Sequence, residues 1–321
     1  MKNLAARVCE EYNVPQGSAV IEVGSGDGAQ LICFKELGMK TYGFEPSEVL
    51  CKVSESREIP VYHGLYTSET ASQIPQEYLP ADIILTTYTF DHIPDPMSFL
   101  DSVKRVINPK TGLLIIEVHD LEKILNRREY CLFAHEHTTY LSVETMQRVL
   151  KRAGFELIST DILSESERRG NSLLVIATPL GSNYSHKAIQ IPEETYIDKW
   201  ETYEKFNKDM LEGIARLDDF VESSIAKGKK VAGFGGSGRG LMTLAAMKSA
   251  SKFSYLFDNN PNFYGYVTPK SHIPIASPQV LAEDPVDVLV VFCYGYINEI
   301  KEQIASISSK PVEIISLLDI L

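Results

Sequence analysis

A short apolar strand that runs into three closely spaced glycines and then a helix leaves few folds open. Residues 19–23 read Ala-Val-Ile-Glu-Val, Gly24, Gly26 and Gly28 alternate with Ser25 and Asp27, and a helical pattern follows from Ala29 to Leu37. Glycine lets a backbone take positive φ and come close to a ligand. A strand, a glycine turn and a helix in that order open the nucleotide site of a doubly wound sheet. Glu22 stands where a dinucleotide fingerprint usually has an apolar residue. Further on, Tyr42-Gly43-Phe44-Glu45-Pro46 puts a carboxylate at the end of a second strand. There it accepts hydrogen bonds from both hydroxyls of a ribose. Glu22, the three glycines and Glu45 together predict a nucleoside site.

The chain has 321 residues, enough for two domains with cores of their own. Its net charge of −12 and the lack of any basic run argue against a nucleic-acid partner. The five cysteines are dispersed and none forms a Cys-x-x-Cys pair, so a zinc ribbon is not expected. Such cysteines fit reduced thiols in the cytoplasm. No apolar run is long enough to span a bilayer and no signal-peptide pattern opens the chain, so no membrane partner is expected.

Strands and helices then alternate in a way that predicts a mostly parallel sheet. A helix is expected over 47–55, strands at Ile59–Tyr62 and over 80–86, and a helix from Met97 to Ile107 with Asp95 as its cap. Leu113 to Val118 reads as a fifth strand. The loop after the 80–86 strand, Tyr88-Thr89-Phe90-Asp91-His92-Ile93-Pro94-Asp95, lies where ligand contacts concentrate. Tyr88 and Phe90 are its expected cofactor contacts. Ser142 to Ala153 is a capped helix stopped by Gly154, and two last strands, Phe155–Asp161 and Ser172–Thr178, form an edge hairpin near the end of a domain spanning 1–180.

A polar linker and a long helix occupy 181–228. The helix carries Trp200, Tyr203, Phe206, Met210, Ile214, Leu217, Val221 and Ile225 at three- and four-residue spacing, a packing stripe. A second glycine-rich unit follows, Gly233-Phe234-Gly235-Gly236-Ser237-Gly238-Arg239-Gly240, then a strand ending in Asp258. Residues 229–321 therefore read as a second, smaller Rossmann-like domain. Its loop at a helix N-terminus suits a phosphate, with Arg239 as clamp.

The remaining unusual stretch is Ala134-His135-Glu136-His137-Thr138-Thr139-Tyr140-Leu141-Ser142. A metal reading of His135 and His137 is weak, because no further Cys/His cluster is near and no metal is expected. General acid–base chemistry, with Glu136 or Tyr140 holding a histidine tautomer, and a plain surface loop both stay open.

The chain resembles class I S-adenosylmethionine-dependent methyltransferases in its Glu-x-Gly-x-Gly-x-Gly motif. In His-Glu-His-x-x-Tyr-x-Ser it resembles the nucleotide-sugar C-methyltransferases, which build branched deoxysugars from nucleoside-diphosphate 4-keto-sugars. Phe90-Asp91-His92-Ile93-Pro94-Asp95, Arg169-Gly170-Asn171-Ser172-Leu173, Asp258-Asn259-Asn260-Pro261 and His272-Ile273-Pro274-Ile275 extend the resemblance over nearly the whole chain. Three departures stand out. The family's small N-terminal zinc-binding domain is not expected ahead of the core, Ala134 replaces a tyrosine, and Arg169 replaces a histidine.

The resemblance implies S-adenosylmethionine as cofactor and an α/β fold: a class I methyltransferase sheet, a long helix and a Rossmann-like C-terminal domain. It implies that His137 is the base that forms an enolate, with Glu136 alongside, Tyr140 near and His92 donating to the developing oxyanion. Gly233, Gly235, Arg239, Asp258, His272 and Arg169 would hold the nucleotide-sugar; the alternative for His272 is to fix its own turn. Methylation at oxygen or nitrogen, or a non-catalytic nucleotide-sugar-binding subunit, remain alternatives, as does a homo-oligomer.

Overall fold

The structure is a computed structural model that describes residues 2–168, 170–193 and 195–320. It divides into two compact units. The first comprises Met1–Glu122 and His135–Thr195, the second Lys123–Ala134 and Tyr196–Leu321. The sequence reading set its divisions at 180 and 228. The segment Lys123–Ala134, read there as part of the first domain, groups with the second unit, as does the long helix.

In the first unit, β1 (Ala19–Val23), β2 (Lys40–Glu45), β3 (Val61–His63), β4 (Ile83–Thr87) and β5 (Leu113–Val118) form a parallel sheet, and β6 (Phe155–Ser159) and β7 (Leu173–Pro179) complete it. The order is β3-β2-β1-β4-β5-β7-β6, with β7 antiparallel to both neighbours. The expected edge hairpin is present. The chain winds outward from β1 to β3 and restarts at β4, so a switch point lies between the carboxyl ends of β1 and β4.

Both faces of this sheet are covered, which is why its strands are nearly all apolar. Ile21, Phe44, Ile84, Leu114 and Val175 pack on one side, and Val20, Phe34, Ile83, Leu85 and Ile115 on the other. Helix α1 (Lys2–Glu11), α2 (Ala29–Lys35) and α3 (Glu48–Ser56) lie in the first half of this unit, α4 (Pro96–Val106) follows β4, α5 (Leu121–Arg127) follows β5 and α6 (Val143–Ala153) precedes β6. Asp95 caps α4 as expected, accepting the Ser98 N–H at 3.0 Å. Phe90 is fully buried against Phe99, with ring centroids 5.6 Å apart, so it is a core residue with no surface to offer a cofactor.

The second unit has α7 (Trp200–Ala226) and a five-stranded parallel sheet of β8 (Val231–Phe234), β9 (Leu256–Phe257), β10 (Ile275–Ala276), β11 (Val288–Val291) and β12 (Glu313–Ser316). Helices α8 (Gly238–Ala246), α9 (Ile297–Ile307) and α10 (Leu317–Ile320) complete it. Its strand order, β10-β9-β8-β11-β12, repeats the β3-β2-β1-β4-β5 order of the first unit. The helical stripe packs on this sheet from Phe206 through Ile214, Leu217 and Val221 to Ile225. Trp200 does not join it and is 72% exposed, because it sits in the first turn, ahead of the sheet's cover.

Ser142 and Thr145 form a reciprocal capping box at the start of α6: the Ser142 hydroxyl accepts the Thr145 N–H and the Thr145 hydroxyl accepts the Ser142 N–H. Ser142→Ala is expected to cost about 1 kcal/mol of stability. In urea the midpoint should fall while the slope stays unchanged.

Candidate active site

The cofactor loop is built from backbone. Gly24, Gly26 and Gly28 all have positive φ, at 74°, 56° and 76°. The N–H groups of Gly24 and Ser25 both donate to the Phe44 carbonyl, at 2.9 and 3.0 Å. Glu45, 6% exposed at the end of β2, accepts the Gly26 N–H through Oε2 at 2.9 Å and the Ser47 N–H through Oε1 at 2.8 Å. A carboxylate oxygen has two lone pairs, so each keeps one for a ribose hydroxyl. Nothing lies within 4 Å of where a side chain at Gly26 would start, so this turn leaves an open cradle. These features fit an adenosyl group. Glu22 is buried, 1% exposed, beneath the loop.

A methyl group on Gly24 would run into the side chain of Thr89, which places the glycine turn directly against the loop after β4. Tyr88, at φ 50°, turns away toward β5. Its N–H donates to the Glu117 carbonyl at 2.7 Å, its hydroxyl donates to the Asn171 carbonyl at 3.2 Å, and its ring meets that of His119 at 5.0 Å. It therefore belongs with the histidines described next. Asn171 and Ser172 are buried and join the same strand ends: Asn171 Oδ1 accepts the Asp120 N–H at 2.7 Å and Ser172 donates to Glu117 at 2.7 Å. Arg169, the expected substrate contact beside them, lies outside the described residues.

Three chain segments bring Asp91, His92, His119, His137 and Tyr140 together. The 135–142 segment is stitched onto the β4 loop, with Thr138 N–H donating to the Asp91 carbonyl at 2.8 Å and its hydroxyl to the Ile93 carbonyl at 2.9 Å. His137, with a side chain 9% exposed, has ring centroids 4.8 Å from His92, 5.1 Å from His119 and 5.8 Å from Tyr140. Asp91 is 3% exposed; its Oδ2 takes His119 Nδ1 at 3.1 Å and lies 3.9 Å from His137 Nε2. Burial pushes the Asp91 carboxyl up, but the hydrogen bond from His119 and the nearby His137 and His92 outweigh it and hold the carboxyl below its ordinary value.

Two expectations are corrected here. Glu136 is not beside His137: its carboxylate pairs with His135 Nδ1 at 3.2 Å, and the His135 side chain is 98% exposed. His135 and His137 therefore do not converge. His92 Nδ1 faces the Glu136 carbonyl at 3.1 Å, and a carbonyl only accepts. That N–H is spent on the carbonyl, so His92 Nδ1 is not the donor that an oxyanion needs. Asp91, His92 and His137 bring one donor atom each within 4.8 Å. Within this cluster His119 engages Asp91, and the Glu136 carbonyl engages His92. His119 was not singled out in the sequence, although it directly follows β5, where a sheet presents its ligands.

In the second unit, the Gly235 N–H donates to the Phe257 carbonyl at 2.8 Å. Asp258 accepts the Gly236 N–H at 2.6 Å and the Asn260 N–H at 2.8 Å. Gly233 is a packing requirement, since a methyl there would come 2.7 Å from the Phe292 ring. Arg239 lies over the Tyr294 ring, 4.1 Å from its centroid, and its Nε donates to Cys131 Sγ at 3.2 Å. His272 is exposed on a tight turn at φ 54°, its N–H donating to the Thr268 carbonyl at 3.1 Å.

Residues 2–160 match the methyltransferase domain family, and residues 169–318 match the C-methyltransferase C-terminal domain. C-methyltransferase NovU of Streptomyces niveus is 27% identical over 306 residues, 94% of this chain and 72% of that protein. An uncharacterised methyltransferase of Staphylococcus carnosus (strain TM300) is 24% identical over 152 residues, 43% of this chain and 70% of that protein. Among solved structures, an S-adenosylmethionine-dependent methyltransferase from Clostridium acetobutylicum ATCC 824 covers 56% of this chain and 92% of its own at TM-score 0.42 and 10% identity. Magnesium protoporphyrin IX methyltransferase from Synechocystis PCC 6803, with bound S-adenosylmethionine, covers 55% and 76% at TM-score 0.40 and 14% identity.

Glu45→Ala is expected to weaken S-adenosylmethionine binding about 10- to 100-fold, the worth of hydrogen bonds to a charged group. Gly24→Ala should weaken it as well, because the turn must move away from Thr89. Isothermal calorimetry measures both, and unchanged affinity in Glu45→Ala would remove its ribose role. The glycine loop with its carboxylate and the two matched domains leave one conclusion: the chain is an S-adenosylmethionine-dependent methyltransferase.

Proposed function

We propose that the protein methylates carbon in a nucleotide-linked 4-keto deoxysugar, with His137 as the base. The observation that carries this reading is the half-enclosed cluster of His137, His119 and His92 around Asp91, reached from the same strand ends as the cofactor loop. A carbon nucleophile needs a proton removed next to a carbonyl, and an imidazole is the side chain suited to that near neutrality. The match to the C-methyltransferase C-terminal domain, and the similarity to a protein named as a C-methyltransferase, support carbon as the methylated atom.

In this reading Glu45, Gly24, Gly26 and Gly28 hold the adenosyl group. The bound cofactor supplies an electrophilic methyl group and leaves as S-adenosylhomocysteine. His137 takes the proton from the acceptor carbon, and the electron pair of the broken C–H bond becomes the enolate nucleophile. Tyr140 packs against the base. Holding nucleophile and methyl donor in line lowers the barrier further, because their encounter no longer costs translational freedom. The glycine loop of the second unit, with Arg239 and Asp258, holds the nucleotide diphosphate through backbone N–H groups and the guanidinium.

Incubation with S-adenosylmethionine carrying a ¹³C-methyl group and a panel of nucleotide 4-keto-sugars tests this by NMR. A methyl signal at a carbon-bound shift is expected. A methoxy or N-methyl shift would move the reaction to oxygen or nitrogen. His137→Ala is expected to lower kcat about 10²- to 10⁴-fold and leave cofactor affinity unchanged. Full activity in that variant would remove the base assignment.

A further inference from the structure

Gln30 is a buried amide that uses only part of its bonding capacity. It is the second residue of α2, 9% exposed, and its Oε1 has no hydrogen-bond partner among the described residues. A buried acceptor left unmade is costly, so such a side chain persists where its other end serves a site. That other end reaches the last residue of β4: Gln30 Nε2 donates to the Thr87 hydroxyl oxygen. Thr87 is the half-buried end of an otherwise buried strand. Its carbonyl accepts the Thr89 hydroxyl at 3.3 Å, and Thr89 is the side chain that stands against Gly24. Gln30 and Thr87 therefore meet beside the glycine turn, at the switch point between β1 and β4.

We propose that the Thr87 hydroxyl, set in place by Gln30, binds the α-carboxylate of S-adenosylmethionine. Thr87 is then a cofactor-binding residue and Gln30 its positioning residue. A hydroxyl has one proton and two lone pairs, and an amide NH₂ donates without accepting. The bond from Gln30 fills a lone pair and leaves the Thr87 proton to point at an acceptor elsewhere. None of the hydrogen bonds that Thr87 makes with described residues uses that proton. The sheet order says where the cofactor lies. With the ribose on Glu45 at the end of β2, β4 is two strand spacings away across β1, about 10 Å. The reacting sulfonium belongs at the switch point, where a doubly wound sheet takes its ligands. The adenine then lies outward past Glu45 and the amino-acid end lies inward, toward β4. That end carries an α-ammonium and an α-carboxylate, and only the carboxylate accepts. A bond to an ionised acceptor is roughly twice as strong as a neutral one. The inference needs the cofactor alone and is independent of the acceptor sugar.

The probe is decarboxylated S-adenosylmethionine, which keeps the nucleoside, the sulfonium and the ammonium and lacks only the carboxylate. Isothermal calorimetry of both compounds needs no acceptor. Thr87→Val is expected to weaken S-adenosylmethionine binding about 10- to 100-fold, the worth of a hydrogen bond to a charged group, and to change the affinity for the decarboxylated compound less than about twofold. Gln30→Met keeps the volume and removes the donor that sets the hydroxyl. It should weaken S-adenosylmethionine about 3- to 10-fold, with the decarboxylated compound again little changed. In the Thr87→Val background it should cost less than about twofold, because a residue acting through another is non-additive with it. Gln30→Glu puts an acceptor where the donor was and draws the Thr87 proton to itself, so it should weaken S-adenosylmethionine about as much as Thr87→Val does. Glu45→Ala, in contrast, should weaken both compounds alike, which separates the ribose site from the carboxylate site. Equal weakening of both compounds by Thr87→Val would mean a merely structural role and would overturn the proposal. An S-adenosylmethionine affinity within about twofold of wild type in that variant would overturn it as well. Should Thr87→Val fail to fold, Thr87→Ser, expected within about threefold of wild type, and Gln30→Glu carry the test. A Gln30→Glu protein that binds both compounds as the wild type does would refute it.

Discussion

The hydrogen bond from Gly26 N–H to the Glu45 carboxylate is what the cofactor end of the first unit depends on. A turn with three residues at positive φ has no side chains to pack and gives up more backbone freedom on folding than any other sequence. It therefore needs outside anchors. Gly24, Ser25 and Gly26 all donate to the last two residues of β2, and Glu45 spends its other oxygen on Ser47 at the cap of α3. One acid thus ties a loop, a strand end and a helix start together. The second unit uses the same device: Asp258, at the end of β9, accepts from the Gly236 loop and from Asn260. Both sheets share one strand order, so the first and second strands end side by side in each, and a carboxylate there meets the N–H groups of the turn.

The histidine cluster around Asp91 depends on a different kind of assembly. Its members come from positions 91, 119 and 137, far apart in the chain, and meet because parallel strands end on one edge of a sheet. Backbone bonds do the joining. Thr138 clamps its segment to Asp91 and Ile93, Asn171 bridges to Asp120, and Tyr88 reaches across to Asn171. A polar network tied at this many points fixes ring orientation.

Much of this was legible in the sequence, where a local rule decides. The glycine turn, the capped helices and the alternation of strands and helices follow from backbone conformation and periodicity, and they fixed both sheets. Ser142 and Gly154 bound α6 as their chemistry requires. The errors fall where tertiary contacts decide. Phe90 sits in a loop suited to ligands, yet its ring packs on Phe99 and is wholly buried. Glu136 adjoins His137 in sequence, but neighbours in an extended segment point apart, and its carboxylate goes to His135. His119 belongs to no local motif, and only the position after β5 hints at it. The grouping of Lys123–Ala134 with the second unit rests on contacts such as Tyr130 to Thr243 at 2.7 Å, which no periodicity encodes.

The two units share an architecture and differ in what their strand ends carry. In the second unit the polar side chains near the glycine loop engage one another: Arg239 covers Tyr294, and Tyr294 bonds Glu129. Burial pushes the Cys131 thiol up against the opposing pull of Arg239, and burial likewise pushes the Tyr294 hydroxyl up, so neither ionises readily near neutrality. In the first unit the acid at the strand ends stays ionised and faces imidazoles, the one side chain that exchanges protons near neutrality without a large shift. The same fold therefore carries different ionisation states at its two sets of strand ends, through the neighbours that each end meets.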